Sequence, residues 1–242
     1  MSLQSDNASY YDAKAMASEP AATAETSLLD EQRDLARSRI LKAAQRALAA
    51  RGLAATVDDV AEKAGVSRRT VFRHFATRER LFAAAMREGL RTYGEQLPAP
   101  PAVPDTDASS GSGSGARSGP DIGAWLVDVL VTTHRINARN GRIYWDLSVL
   151  DPELSGEMAE AAVERRDARR RFVRQVSRTL WRARGGTGTP PAWLTDATAV
   201  HLSGFTTQSL TGDFDRSPEE VARVSARVLE AAVQAALIER TP

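Results

Sequence analysis

The chain has no cysteine, which excludes disulfides, thiolate-held metals and a cysteine nucleophile. Its three histidines, His74, His134 and His201, are too far apart in sequence for a metal-ligand spacing, so neither a metal nor another cofactor is expected. No uninterrupted apolar run approaches the roughly 20 residues that cross a bilayer. The acidic, Ala- and Ser-rich start lacks the basic-then-apolar order of a signal peptide, and a cytoplasmic protein without membrane contact is expected. Strand and hairpin patterning is also missing, and with it the strand-turn-helix setting that a phosphate loop or nucleophile elbow needs. Gly111-Ser112-Gly113-Ser114-Gly115 spells a Gly-x-Ser-x-Gly string only within low-complexity sequence. The expectation is therefore a protein that is not an enzyme.

What is present is helical patterning over 242 residues, 42% hydrophobic and 26% charged, enough for one sizeable core or two modest ones. The formal net charge of +1 hides a separation of signs. Residues 33–97 hold 14 Lys and Arg against 7 Asp and Glu, whereas residues 1–32 hold 1 against 6. A local positive field of this kind suits a module that meets phosphates.

Inside the basic stretch, Thr56 reads as an N-cap with Asp59 closing a capping box, and Val57, Val60, Ala61 and Ala64 share one helical face. Gly65 stops that helix where a positive φ is easiest. Ser67 can cap a second helix in which Val71 and Phe75 point to one side and leave Arg68, Arg69 and Arg73 outward. Two short helices at an angle, the second edged with guanidinium groups, suit docking in a DNA major groove.

An amphipathic helix over 31–51 precedes this pair, carrying Ile40, Leu41, Ala44, Ala47 and Leu48, with Gly52 ending it and Leu53 placed for a Schellman-type contact. After the pair, Thr77 can cap a helix that carries Leu81, Phe82, Ala85, Met86, Leu90 and Tyr93 to about residue 96, and Pro98 ends it. Residues 98–120 are Pro-rich, then Gly/Ser-rich, and read as a flexible loop; residues 1–30 read as a disordered arm. Helical patterns follow over about 122–138, 143–150, 153–184, 192–211 and 218–240. The last has Ser217 as N-cap, Pro218 at the first helical position and Glu220 completing a capping box. Its apolar stripe, Val221, Val224, Val228, Leu229, Ala232, Val233, Ala236 and Leu237, is wider than one neighbour needs, which leaves one side for a second subunit.

The order Arg39-Ile40-Leu41-Lys42-Ala43-Ala44, Gly52, Thr56, Asp59-Val60-Ala61, Ala64-Gly65-Val66-Ser67, Thr70-Val71-Phe72, His74-Phe75 and Arg78 through Leu81 resembles the TetR family of bacterial transcription regulators. The resemblance implies an all-α homodimer. A three-helix helix-turn-helix DNA-binding domain over 31–76 would lead through a connecting helix over 77–97 to a helical effector-binding and dimerisation domain over 121–242. By position it implies DNA contacts from Thr56, Ser67, Arg68, Arg69, Thr70, Phe72, Arg73, His74 and Arg78. Arg68 is the first choice for reading a base edge; Thr56, His74 and Arg78 would meet phosphates. Phe72 stands where the family often has tyrosine and so lacks that hydroxyl's phosphate bond. An interface built mainly from the last two helices is also implied, here Leu202, Phe205, Val221, Val224, Val228 and Val233.

Other constellations leave two readings each. The arginines at 166, 170, 174, 178 and 182 form a stripe that fits a solvated helix face better than an anion site. Trp125, His134, Tyr144, Trp145, Phe172 and Phe205 are candidates for a ligand pocket, although each aromatic also suits a core; Asp146 and His201 are further candidate polar anchors. The function expected from all this is a sequence-specific transcription regulator, a repressor released from a pseudo-palindromic operator by an unidentified small-molecule effector. The alternative is a DNA-binding architectural or regulatory protein without an effector.

Overall fold

The computed structural model describes residues 28–102, 121–150 and 154–239, except for the side chains of residues 28, 29, 144, 145 and 148–150. The expected arm up to residue 27 and the Gly/Ser-rich loop over 103–120 lie outside the described residues. Among the described residues the regular structure is entirely helical. The described residues up to Ala36 form a unit by themselves, the opening of α1 (Leu28–Arg51), in which Asp30 and Glu31 sit where the helix dipole favours acid. The second unit, from Arg37 onward, holds the rest of α1, a 3-10 turn over Gly52–Ala54, then α2 (Val57–Ala64), α3 (Arg68–His74) and α4 (Arg78–Gln96). After the loop come α5 (Ile122–Leu150), α6 (Gly156–Ala183), α7 (Ala192–His201), α8 (Gly204–Gly212) and α9 (Pro218–Glu239).

The first core follows from helical spacing. Ile40, Ala43, Ala44, Ala47 and Leu48 of α1 are buried against Val57, Val60, Ala61 and Ala64 of α2, Val71 and Phe75 around α3, and Leu81, Phe82 and Ala85 of α4. The same cluster takes in Ile143 and Leu147 from α5 and Met158 and Ala161 from α6, so the three-helix module shares its core with later helices. The second core joins Leu126, Val129 and Leu130 of α5, Val173, Val176, Leu180 and Trp181 of α6, Leu194 of α7 and Ala222, Leu229 and Val233 of α9. α4 lies along α6, tied by Arg80 to Glu157 at 2.7 Å and by the fork of Arg87 to Glu164 at 2.9 to 3.1 Å.

Two boundaries differ from expectation. The segments over 122–138 and 143–150 are one helix bent at Asn140 (φ −112°, ψ 16°). The single helix expected over 192–211 is two: Ser203 caps α8 through the Thr206 N–H at 3.1 Å, and the Thr206 hydroxyl donates to the Val200 carbonyl at the end of α7 (2.6 Å). Apolar period alone does not register such a side-chain break, because the stripe continues through it.

Candidate nucleic-acid interface and cavity

The turn between α2 and α3 is built by local chemistry. The Thr56 hydroxyl accepts from the Asp59 N–H (3.2 Å) while the Asp59 carboxylate accepts from the Thr56 N–H (2.8 Å) and hydroxyl (2.7 Å), so the capping box closes in both directions. Those bonds hold the Asp59 carboxyl below the usual carboxylate range. Gly65 takes the left-handed conformation (φ 65°, ψ 40°) that ends α2. The open carbonyls at that end are met by α1, with Arg39 donating to Ala64 (3.0 Å) and Arg46 to Lys63 (3.2 Å). Ser67 then caps α3 by accepting from the Thr70 N–H (3.1 Å).

With Val71 and Phe75 buried beneath it, α3 turns Arg68, Arg69, Phe72 and Arg73 to solvent. Arg68 pairs with Asp58 at 2.8 Å and lies over the Phe72 ring at 5.4 Å. Both partners of that ion pair are more than half exposed; such pairs contribute under about 1 kcal/mol in water, so Arg68 can leave it at little cost. His74 is half-buried, and its carbonyl accepts from Arg37 (3.4 Å), whose guanidinium covers Phe75 at 4.5 Å. Ser67 and Thr70 face each other, hydroxyl to hydroxyl, at 2.9 Å. Thr56 spends its hydroxyl in the capping box.

The phosphate contact expected of Arg78 does not fit its placement. Its Nη2 donates to the carbonyls of Leu53 (2.6 Å) and Ala55 (3.0 Å), and its guanidinium stacks on Phe82 at 4.8 Å. Arg78 therefore holds the turn between α1 and α2 instead of reaching outward. Asp146, expected only as a candidate pocket anchor, grips the same turn from α5: its Oδ2 accepts from the Leu53 N–H at 2.8 Å, and Arg142 balances its charge at 3.2 Å. Gly52 (φ 58°) allows that approach, since a Cβ there would lie 1.9 Å from Asp146 Oδ2. No local pattern marks a bond spanning 93 residues.

A cavity of about 1210 Å³ opens between α1, α4, α5, α6 and α8. Of the residues expected to line a pocket, Phe172 and Phe205 do; Trp125 is core, with its indole N–H donating to the Pro98 carbonyl (3.4 Å), and His134 is buried elsewhere. The side chains of Tyr144 and Trp145 lie outside the described residues. Sequence reading missed Met86, Leu90, Tyr93, Ile143 and Leu147 as apolar wall, and the cations Lys42, Arg46, Arg139, Arg142, Arg165 and Arg169. No Asp or Glu lines the cavity among the described residues.

Residues 40–85 match the family model of bacterial regulatory proteins, tetR family. Over those residues the module is similar to the DNA-binding part of the tetR family. The fold extends the likeness beyond the module. A tetR-family transcriptional regulator from Streptomyces coelicolor superposes with a TM-score of 0.57 at 18% identity, covering 86% of this chain and 90% of that one. A transcriptional regulator from Rhodococcus sp. Rha1 does so with a TM-score of 0.56 at 22% identity, covering 82% and 96%. No curated protein matches the chain.

The face expected to pair subunits is divided. Leu202, Val221 and Val233 are inside its own core, at 4%, 0% and 0% exposure, and are corrected as interface residues. Phe205, Val224 and Val228 are exposed at 51%, 47% and 42%, and Ile238 joins them at 73%. Val224, Val228, Ala231, Ala235 and Ile238 of α9 alternate four and three residues apart, the spacing of a helix-pairing seam.

Behind that face lies a buried polar network. His134 Nδ1 is 2.7 Å from the Thr207 hydroxyl and its Nε2 is 3.4 Å from the Ser225 hydroxyl, which in turn is 3.2 Å from His201 Nδ1. Asn137 donates to Thr207 at 3.2 Å. Burial, with the neighbouring His201, pushes the His134 pKa down to about 4. The unfolded chain takes up that proton near pH 6.5, so stability is full above that pH and falls until about pH 4, by roughly 3 kcal/mol in total. Denaturant melts at pH 7.5 and 5 should show the loss, and His134→Gln should flatten it; an unchanged slope in that variant would count against His134 as its source.

Proposed function

We propose that this chain is a TetR-family, sequence-specific repressor that binds a pseudo-palindromic operator as a homodimer and leaves it when a small-molecule effector fills the cavity. The observation that carries DNA recognition is α3, capped by Ser67, seated on Val71 and Phe75, and presenting Arg68, Arg69 and Arg73 to solvent. Arg68 reads a base edge, Arg69 and Thr70 flank it, and Arg73, His74 and Ser67 meet the backbone. Phe72 contributes packing without a hydroxyl.

Effector release is supported by where the cavity walls lead. α4 forms one wall and begins at Arg78; α5 forms another and carries Asp146 six residues past its bend at Asn140. These two side chains hold opposite sides of the Leu53–Ala55 turn, Asp146 the N–H and Arg78 the carbonyls. A ligand that moves α4 against α5 shifts the turn on which α2 and α3 ride. Selection from random duplex DNA tests the proposal. The expected result is enrichment of an inverted repeat with half-sites about 34 Å apart centre to centre. No enrichment at low salt would remove the sequence-specific reading.

A further inference from the structure

We infer that the cavity selects an organic anion, a carboxylate on an apolar body, with its charged head at Arg169 of α6. The inference rests on the effector reading above and names the ligand's chemistry.

Arg169 is half-buried, and among the described residues its one hydrogen bond runs from Nη2 to the Ala199 carbonyl at 2.8 Å. No carboxylate stands within ion-pair distance of it among the described residues, while Arg80 and Arg87 of α4 are paired with Glu157 and Glu164 of α6. Burial works against the charge of Arg169. A half-buried guanidinium that gives a single hydrogen bond to the protein has most of its N–H donors left for an acceptor entering the cavity, and its fork fits a carboxylate. Arg139, also on the wall and exposed, adds to the same field. The rest of the wall is suited to the body of such a ligand: Tyr93 and Phe172 meet edge to face at 5.9 Å, beside Leu90 and Met86. A cationic ligand would meet like charge at Arg169 and Arg139, and a neutral one would bring no counter-charge to the Arg169 fork.

Three probes of one shape separate these cases: 1-pyrenebutyrate, 1-pyrenebutyramide and 4-(1-pyrenyl)butylammonium, followed by fluorescence anisotropy with the full chain and then with operator-bound protein. The anion should bind at least about tenfold more tightly than the amide, with the ammonium weakest. Arg169→Gln should bring the anion to the level of the amide, whereas Arg169→Lys, which keeps charge and loses the fork, should retain part of the preference. Equal affinity for anion and amide, preference for the ammonium, or a preference that survives in folded Arg169→Gln overturns the inference. Should Arg169→Gln fail to fold, the wild-type order of the three probes and the Arg169→Lys variant decide. A selective anion that leaves the operator bound supports the anion site and removes the effector reading. Release by the amide as readily as by the anion does the reverse. Failure of all three to bind removes both.

Discussion

Arg68→Ala should weaken operator binding by about 1–3 kcal/mol and relax preference at one base position, the loss expected of a bidentate arginine on a guanine. The competing local bond does not offset this. Asp58 holds Arg68 in an exposed pair, a contact that contributes under about 1 kcal/mol and weakens with salt. The control is Arg78→Ala. Had Arg78 touched a phosphate, its removal would weaken all sequences alike and lower the salt slope by about one. Its guanidinium is instead bonded to the carbonyls of Leu53 and Ala55. The expected result is therefore a loss of fold stability of roughly 2 kcal/mol, with the salt slope of the remaining folded protein unchanged. Binding titrations at several salt concentrations, on operator and on random duplex, check both. Equal losses on the two DNAs for Arg68→Ala would remove Arg68 as the base reader.

The second large effect concerns pairing of subunits. Val228→Glu combined with Val224→Glu places two carboxylates on the exposed seam of α9, where neither touches the chain's own core. Single-chain stability should move by under about 0.5 kcal/mol for each, as surface changes do. Dimers should dissociate, and because each recognition helix must then bind its half-site alone, operator affinity should fall by about 10² to 10⁴-fold. Val233→Glu is the contrast: its side chain is wholly inside, so a carboxylate there unfolds the chain before it can report on dimerisation. Sedimentation velocity beside thermal melts separates the two outcomes. An unaltered sedimentation coefficient for the Val224/Val228 variant would overturn the α9 seam as the interface.

Seen from the residues, α2 and α3 were readable in detail because each cue sits within a few positions of its effect. Thr56 and Asp59 cap each other across three residues, Gly65 needs only its own φ, and Val71 and Phe75 are one helical turn apart. The capping box of Ser217 and Glu220 at the head of α9 was legible for the same reason, with bonds of 3.2 and 2.8 Å. Reading failed where hydrophobic period carried too little information. The stripe over 192–211 runs on through a break made by Ser203 and Thr206, and Val228 and Val233 look alike in sequence although only one is exposed.

The amino-acid order alone determined an all-helical chain, its caps, and a recognition helix edged by Arg68, Arg69 and Arg73, since those features arise from neighbours three or four residues apart. Only the packed structure decided that Arg78 serves the Leu53–Ala55 turn, that Asp146 meets it from 93 residues away, and that Arg169 lines a cavity to which no described residue brings a carboxylate. Those outcomes depend on which helix faces come together, and a side chain's partner across such distances is set by the tertiary arrangement, beyond the reach of any local rule.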